Sequence, residues 1–187
     1  MMDSQWPRYE VFQQDREGQP HRNVGSVHAP DPEMAMQNAR DVFVRRPACL
    51  SLWVVPAGAI LSKTVQELRD ESLQDALSSD EPADLLIYAI FRKTRQRRSM
   101  TYVEFAGEVE AASPISALLE AQEQFGEEST YVWWVCAFED IFRSNEIEID
   151  SMFSPAIDKS YRMAREYRVL TEMMEATSGR DYAGKPK

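Results

Sequence analysis

Two stretches of the chain alternate apolar and polar residues in the same way. Tyr9 and Val11 share one face of a predicted strand while Glu10 and Phe12 point to the other, and Tyr88-Ala-Ile-Phe91 repeats that start. The chain then turns, at Gly18 in the first stretch and through 95–99 in the second, into a second strand over 23–29 or 101–111. Asp31-Pro32 and Ser113-Pro114 come next. Each pairs a capping oxygen with a proline at the first helical position, where the missing N–H is no loss. The spacing from Pro32 puts Ala35, Ala39, Val42 and Phe43 on one helical face, and from Pro114 it does the same with Ala117, Leu118, Ala121 and Phe125. Gly126 supplies a stop for the second helix. A third strand, over 51–55 or 130–137 and rich in aromatic and β-branched residues, closes each stretch.

The two stretches align in order, about 80 residues apart: Gly25-x-Val-x-Ala29 with Gly107-x-Val-x-Ala111, and Trp53-Val54 with Trp134-Val135. The expected fold class is therefore α+β, with two tandem ββαβ units over 1–62 and 85–150. One helix covers only one face of such a small sheet, so the units are expected to complete each other as a pseudo-two-fold module with a six-stranded or two-sheet core. Residues 63–84 read as an acidic linker, with Val65, Leu68, Leu73, Ala76 and Leu77 at helical spacing before a Ser-Ser-Asp-Glu-Pro run. Residues 151–178 read as a C-terminal docking segment, helical or extended, in which Met163, Tyr167, Leu170 and Met174 form a stripe. Residues 179–187 read as a disordered tail.

Composition narrows the function. Apolar residues at 43% and charged residues at 28% describe a soluble globular chain. The longest apolar run, Tyr131 to Phe138, falls far short of the roughly 20 residues of a membrane span. The start, Met-Met-Asp-Ser-Gln-Trp-Pro-Arg, carries an acid where a secretion signal carries Lys or Arg, so a cytoplasmic location is expected. Cys49 and Cys136 then read as two free, buried thiols. The net charge of −10 divides as −3 over 1–79, −9 over 80–150 and +2 over 151–187. That balance disfavours nucleic acid and suits a basic protein partner.

Candidate chemistry is sparse. Neither His21 nor His28 has Glu three residues before it, so a di-iron carboxylate site cannot be assembled, and isolated cysteines argue against zinc. Seven residues apart, the two histidines would face opposite sides of an ideal strand and could not share a metal. Ser26 lies in Val-Gly-Ser-Val without a nucleophile elbow, and no clustered glycines form a phosphate loop. The acids Glu108, Glu110, Glu120 and Glu123 read as a solvated face. Two patches have the character of docking surfaces. Arg92 to Arg98 places five cations in seven residues at a predicted hairpin tip, with Arg95, Arg97 and Arg98 foremost. Alternation splits Trp133 and Trp134 between two faces, one for the core and one open to a partner. The expectation is a non-enzyme without catalytic residues, metal or cofactor. The alternative is a stand-alone module binding RNA or an acidic ligand through the Arg92–Arg98 hairpin.

The first stretch resembles the phenylacetate-degradation B family (PaaB), the small subunit of the multicomponent ring-1,2-phenylacetyl-CoA epoxidase. The resemblance rests on Trp6-Pro-x-Tyr-Glu-Val-Phe12, His21-Arg22-x-Val-Gly-Ser-x-His28-Ala29, Asn38-Ala39-Arg40-Asp41 and Trp53-Val54-Val55. A segment like the family's C-terminal one follows the second stretch, at Phe153-x-Pro155-Ala156-x-x-Lys159-x-Tyr161-Arg162. Residues 85–150 lack the histidine signature, so the chain looks like a tandem-duplicated member with a diverged second copy. The resemblance implies a non-catalytic accessory or scaffold subunit. Its implied partners are a di-iron catalytic A-type and a structural C-type oxygenase subunit, with the reductase as a further candidate and self-association also open to it. The candidate partner-binding residues are His21, Arg22, His28, Lys159, Tyr161 and Arg162 in the family-like segments, with Arg95, Arg97, Arg98 and Trp133 from the two patches, onto which no family role is carried.

Overall fold

A computed structural model describes residues 6–44, 49–70, 85–94, 103–126, 130–145 and 149–153. The chain runs β1 (Arg8–Gln14), β2 (Arg22–His28), α1 (Pro32–Phe43), β3 (Ser51–Pro56), a 3₁₀ turn (Ala57–Ala59), β4 (Leu61–Thr64) and α2 (Val65–Asp70). It continues with β5 (Leu86–Lys93), β6 (Glu104–Ala111), α3 (Pro114–Phe125), β7 (Val132–Ala137), a 3₁₀ turn (Phe138–Asp140), β8 (Phe142–Arg143) and α4 (Ile149–Phe153). Both long helices start where the sequence says they should. Asp31 Oδ1 accepts from Met34 N at 2.7 Å. Ser113 and Ser116 form a reciprocal capping box, at 3.1 and 2.9 Å. Gly126 ends α3 with an extended backbone, and a Cβ there would overlap the Gln122 carbonyl oxygen. On α1, Met36 joins Ala35 and Ala39 inside, whereas Val42, expected there, is exposed.

All eight strands form one antiparallel sheet in the order β4-β7-β5-β6-β2-β1-β3-β8. The fold is thus mixed α and β as expected, but the core is neither six-stranded nor made of two sheets. The additional strands are β4 and β8. Each follows its predecessor after four residues yet pairs at the opposite end of the sheet, β4 with β7 and β8 with β3. Six strand positions in a flat sheet span about 29 Å, whereas the five Cα steps from Pro56 to Leu61 reach at most about 19 Å. The sheet must therefore roll until its ends approach.

Rolling creates two kinds of core. Outside, α1 covers Tyr9, Val11, Val27, Leu52 and Val54, while α3 covers Tyr88, Ile90, Val109, Trp133 and Val135. Inside, Phe12, Trp53, Val55, Phe91, Val103, Trp134, Cys136 and Ile141 form a single cluster drawn from both ends of the chain. Phe12 stacks on Phe91 at 4.2 Å between centroids, with Trp134 edge-on to Phe12 at 6.2 Å. The seam at mid-sheet is short. Among the described residues only Arg22 and Glu104 are in register between β2 and β6, flanked by Asn23 N to Val103 O (2.9 Å) and Phe105 N to His21 O (2.8 Å).

The seam ends at two bulges. The register slips between Val11 and Phe12 against β2, and between Ile90 and Phe91 against β6. Beside the slips stand Gly25 (φ 140°) and Gly107 (φ 159°), both on the left-handed side of backbone space. The rings of Phe43 and Phe125 close over them; an added Cβ would lie 2.9 Å and 2.5 Å from those rings. Only glycine permits both the twist and the ring contact.

Candidate functional site

A concavity lies at one rim of the rolled sheet, where β1 ends and β2 and β3 begin. Gln14, Glu17, His21, Leu50, Ser51, Trp53, Arg143 and Ser144 line a cleft of about 620 Å³. Several contacts fix its walls. Gln14 Nε2 donates to Gln19 O at 2.7 Å, and Asp15 bridges Gln13 (2.8 Å) and Arg22 (2.5 Å), so the β1–β2 hairpin is tied down on both sides. Leu52 N donates to Ser144 Oγ at 3.1 Å, and Ser144 N donates to Leu52 O at 2.8 Å, which holds β8 against β3. Arg143 lies 4.7 Å above the Phe138 ring.

His21 is the cleft's central polar group. Its ring stacks on Trp53 at 3.6 Å and 17°, and its Nε2 shares a 3.0 Å hydrogen bond with Ser51 Oγ. Burial lowers its pKa from 6.5 to about 4, so the imidazole is neutral at pH 7. A Ser–His pair at this distance has the reach of a nucleophile and its base. Three features of the site argue against that chemistry. The imidazole is too weak a base near neutrality, the ring is fixed face-down on the indole, and among the described residues no carboxylate is bonded to Nδ1. The neighbouring Cys49 thiol is pushed up to about 12, mainly by burial, and is inert as a nucleophile. What remains suits recognition: an aromatic floor, two hydroxyls and an amide, with Arg143 and Glu17 at the edges.

His28 does not join this site. The sequence spacing predicts opposite faces for the two histidines, but the bulge at Val24 adds a residue to β2 and restores parity. His28 falls opposite Arg8 on the inner face, the face on which His21 stacks on Trp53, yet about 20 Å further along the strand. Its Nδ1 donates to Trp6 O at 2.8 Å, and Asn38 Nδ2 donates to His28 O at 3.2 Å, anchoring the segment before β1. Arg22 turns to Asp15. Trp133 is 2% exposed and lies under α3, which leaves no ring face for a partner; the expectation of a docking tryptophan there is corrected to core packing. Trp134 lies in the inner cluster. Arg95, Arg97, Arg98, Lys159, Tyr161 and Arg162 lie outside the described residues, as do the linker beyond 70 and the C-terminal stripe and tail. Among the described residues no group of three or more His, Cys, Asp or Glu could hold a metal ion, and no helix is long and apolar enough to cross a membrane.

Ser51, Glu17 and Arg143 escaped sequence reading. The aligned stretches held the signal. Four inner positions are polar in the first and apolar in the second: Glu10 against Ala89, His21 against Val103, Asn23 against Phe105, Ser51 against Val132.

A rolled antiparallel sheet with helices outside, an aromatic core and a cleft at one rim defines a mixed α and β protein. The chain belongs to the phenylacetic acid degradation B family, PaaB, whose model matches residues 5–78 and 84–174. It is 46% identical, over 67 residues, to the B subunit of the 1,2-phenylacetyl-CoA epoxidase of Escherichia coli strain K12; the alignment covers 36% of this chain and 70% of that protein. No solved structure matches. Family membership assigns the chain a role in phenylacetate degradation.

Proposed function

We propose that this chain is the B-type subunit of a 1,2-phenylacetyl-CoA epoxidase complex, an accessory chain without an active site of its own that bridges or stabilises the catalytic subunits. The observation that carries the reading is the family match in two stretches, each longer than the 67 residues aligned to the epoxidase chain. The partners are a di-iron A-type and a structural C-type oxygenase subunit in the cytoplasm, and the basic Arg92–Arg98 sequence with the residues around His28 are the surfaces offered to them. Aromatic side chains fill the inner face at the positions of the Phe12–Phe91 cluster, which agrees with a structural role for that face.

On this reading the chain is a tandem duplication of a ββαβ unit that stands in for a homodimer, with units 1–62 and 85–150 joined by 63–84. The equivalent bulges, the equivalent glycine–phenylalanine contacts and the reciprocal exchange of β4 and β8 support it. Exchange of a strand between identical units is how a dimer interlocks. The test is co-expression with candidate A- and C-type subunits, followed by size-exclusion chromatography with light scattering. Co-elution at a defined stoichiometry is expected, with one fused chain in the place of two single-unit subunits. Elution alone in every mixture, together with salt-sensitive retention on RNA, would transfer the function to the Arg92–Arg98 binding module.

A further inference from the structure

The His21 cleft holds two opposite charges that do not meet. Glu17 and Arg143 both line it, yet neither forms an ion pair with the other or with any described residue. Both are held in place. Glu17 sits in the turn between β1 and β2, which is closed by Gln19 N donating to Arg16 O at 3.2 Å and by the Gln14–Gln19 bond. Arg143 stands in register with Trp53 and lies over the Phe138 ring. Fixed charges of opposite sign, kept apart in one cleft, suit a ligand that carries both.

The uncharged groups divide in the same way. Beside Arg143, Ser144 Oγ accepts from Leu52 N and keeps its own proton to donate. The Ser51–His21 bond uses one of the pair's two protons, so with either tautomer one donor remains for the cleft. Beside Glu17, the Gln14 amide donates to Gln19 O and keeps its Oε1 as an acceptor. Leu50, exposed at the cleft wall, adds apolar surface. The fold does not require this set. Ser51 faces Gln14 and Arg143 faces Trp53, whereas the same registers of the second half hold Val132 with Lys93 and Ser62 with Trp134. The volume of about 620 Å³ is that of a small-molecule pocket. We propose that the His21 cleft binds a small zwitterion, a free α-amino acid with an apolar side chain. Arg143, Ser144 and the Ser51–His21 pair take its carboxylate, Glu17 and Gln14 take its ammonium, and Leu50 takes its side chain.

The test is isothermal titration of the full-length chain with L-leucine and L-phenylalanine, and with two leucine analogues that each lack one charge, isocaproate and isoamylamine. A hydrogen bond to a charged group carries about tenfold or more in affinity, so L-leucine should bind at least about tenfold tighter than either analogue. Two variants should then act on different analogues. Arg143→Gln should erase the advantage of L-leucine over isoamylamine, and Glu17→Gln its advantage over isocaproate. Glu17 is exposed and makes no ion pair among the described residues, so its variant keeps the test open should Arg143→Gln fail to fold. Absence of binding by both amino acids up to about 10 mM overturns the proposal. Equal affinity for L-leucine and isocaproate also overturns it and makes the cleft a plain anion site. So does full retention of L-leucine binding in the folded variants. Because the chain is titrated alone, no outcome depends on whether oxygenase subunits bind it.

Discussion

The two halves share a backbone and differ in what they place on its inner face. Phe12 and Phe91 hold equivalent registers against Trp53 and Trp134, and the glycine bulges coincide. At the next positions they part. In the first half Asn23 Nδ2 donates to Glu10 Oε2 at 3.1 Å, Arg8 pairs with Glu10 at 3.3 Å and His21 bonds Ser51, where the second half has Phe105, Ala89, Ile87, Val103 and Val132. The common positions carry the fold, and the differing ones mark where one half places polar groups and the other packs apolar side chains.

If the halves share one core, breaking either should cost the same. Phe12→Ala and Phe91→Ala should each lose about 3–5 kcal/mol in urea unfolding. Because the two rings stack on each other, the double variant should lose clearly less than the sum. A large loss from only one of the two, or strict additivity, would mean that each half folds around its own centre.

The bulges test the backbone in the same way. Gly25→Ala and Gly107→Ala should each cost about 1–3 kcal/mol, since the backbone lies at positive φ and a phenylalanine ring occupies the space of the new methyl. Gly58→Ala, with nothing within 4 Å, is the control and should stay within about 0.5 kcal/mol of wild type.

The differing positions should respond asymmetrically. Asn23→Ala leaves the buried Glu10 carboxylate without its amide donor and should cost about 1–3 kcal/mol. Converting the pair to the second half's residues, Glu10→Ala with Asn23→Phe, removes both polar partners at once. It should cost less than Asn23→Ala alone, and a greater cost would show that the pair does more than satisfy itself.

His21 gives the first half a pH dependence that Val103 cannot supply to the second. The unfolded chain binds a proton near pH 6.5, whereas burial holds the folded imidazole near 4. Stability is therefore complete above about pH 6.5 and declines as the pH falls from there towards 4. Urea midpoints at pH 7.5, 6 and 5 should fall for the wild type and fall less for His21→Val. Parallel curves would mean that the imidazole is not buried as described.

Sequence made one layer of this comparison legible and hid another. Capping residues, strand alternation and the glycines are local signals, and both helices and six of the strands appear where they point. The strands β4 and β8 carry no such signal. Leu61-Ser-Lys-Thr64 does not alternate cleanly, and Phe142-Arg143 is too short to do so; each becomes a strand because the other half offers it an edge. The bulge at Val24 reversed the parity on which the histidine faces were assigned. The cleft joins residues 30 positions apart through the Ser51–His21 bond, and only rolling of the sheet brings Arg143 to them.

The smallest expected effect concerns a polar group on the packing side. Tyr131 N donates to Lys93 O at 2.8 Å as Leu50 N does to Gln14 O at 2.8 Å, so Thr130 stands where the first half has Cys49. Both are buried, but Thr130 Oγ1 has no hydrogen-bond partner among the described residues, while Cys49 Sγ donates to Ser51 O at 3.8 Å. Thr130→Val keeps the shape and removes the unpaired hydroxyl, so it should be neutral or stabilising by up to about 1 kcal/mol in thermal unfolding. Cys49→Val removes only a weak donor from an inert thiol and should change little. A clear loss in Thr130→Val would instead assign that hydroxyl a partner, and the second half would then keep a polar contact of its own.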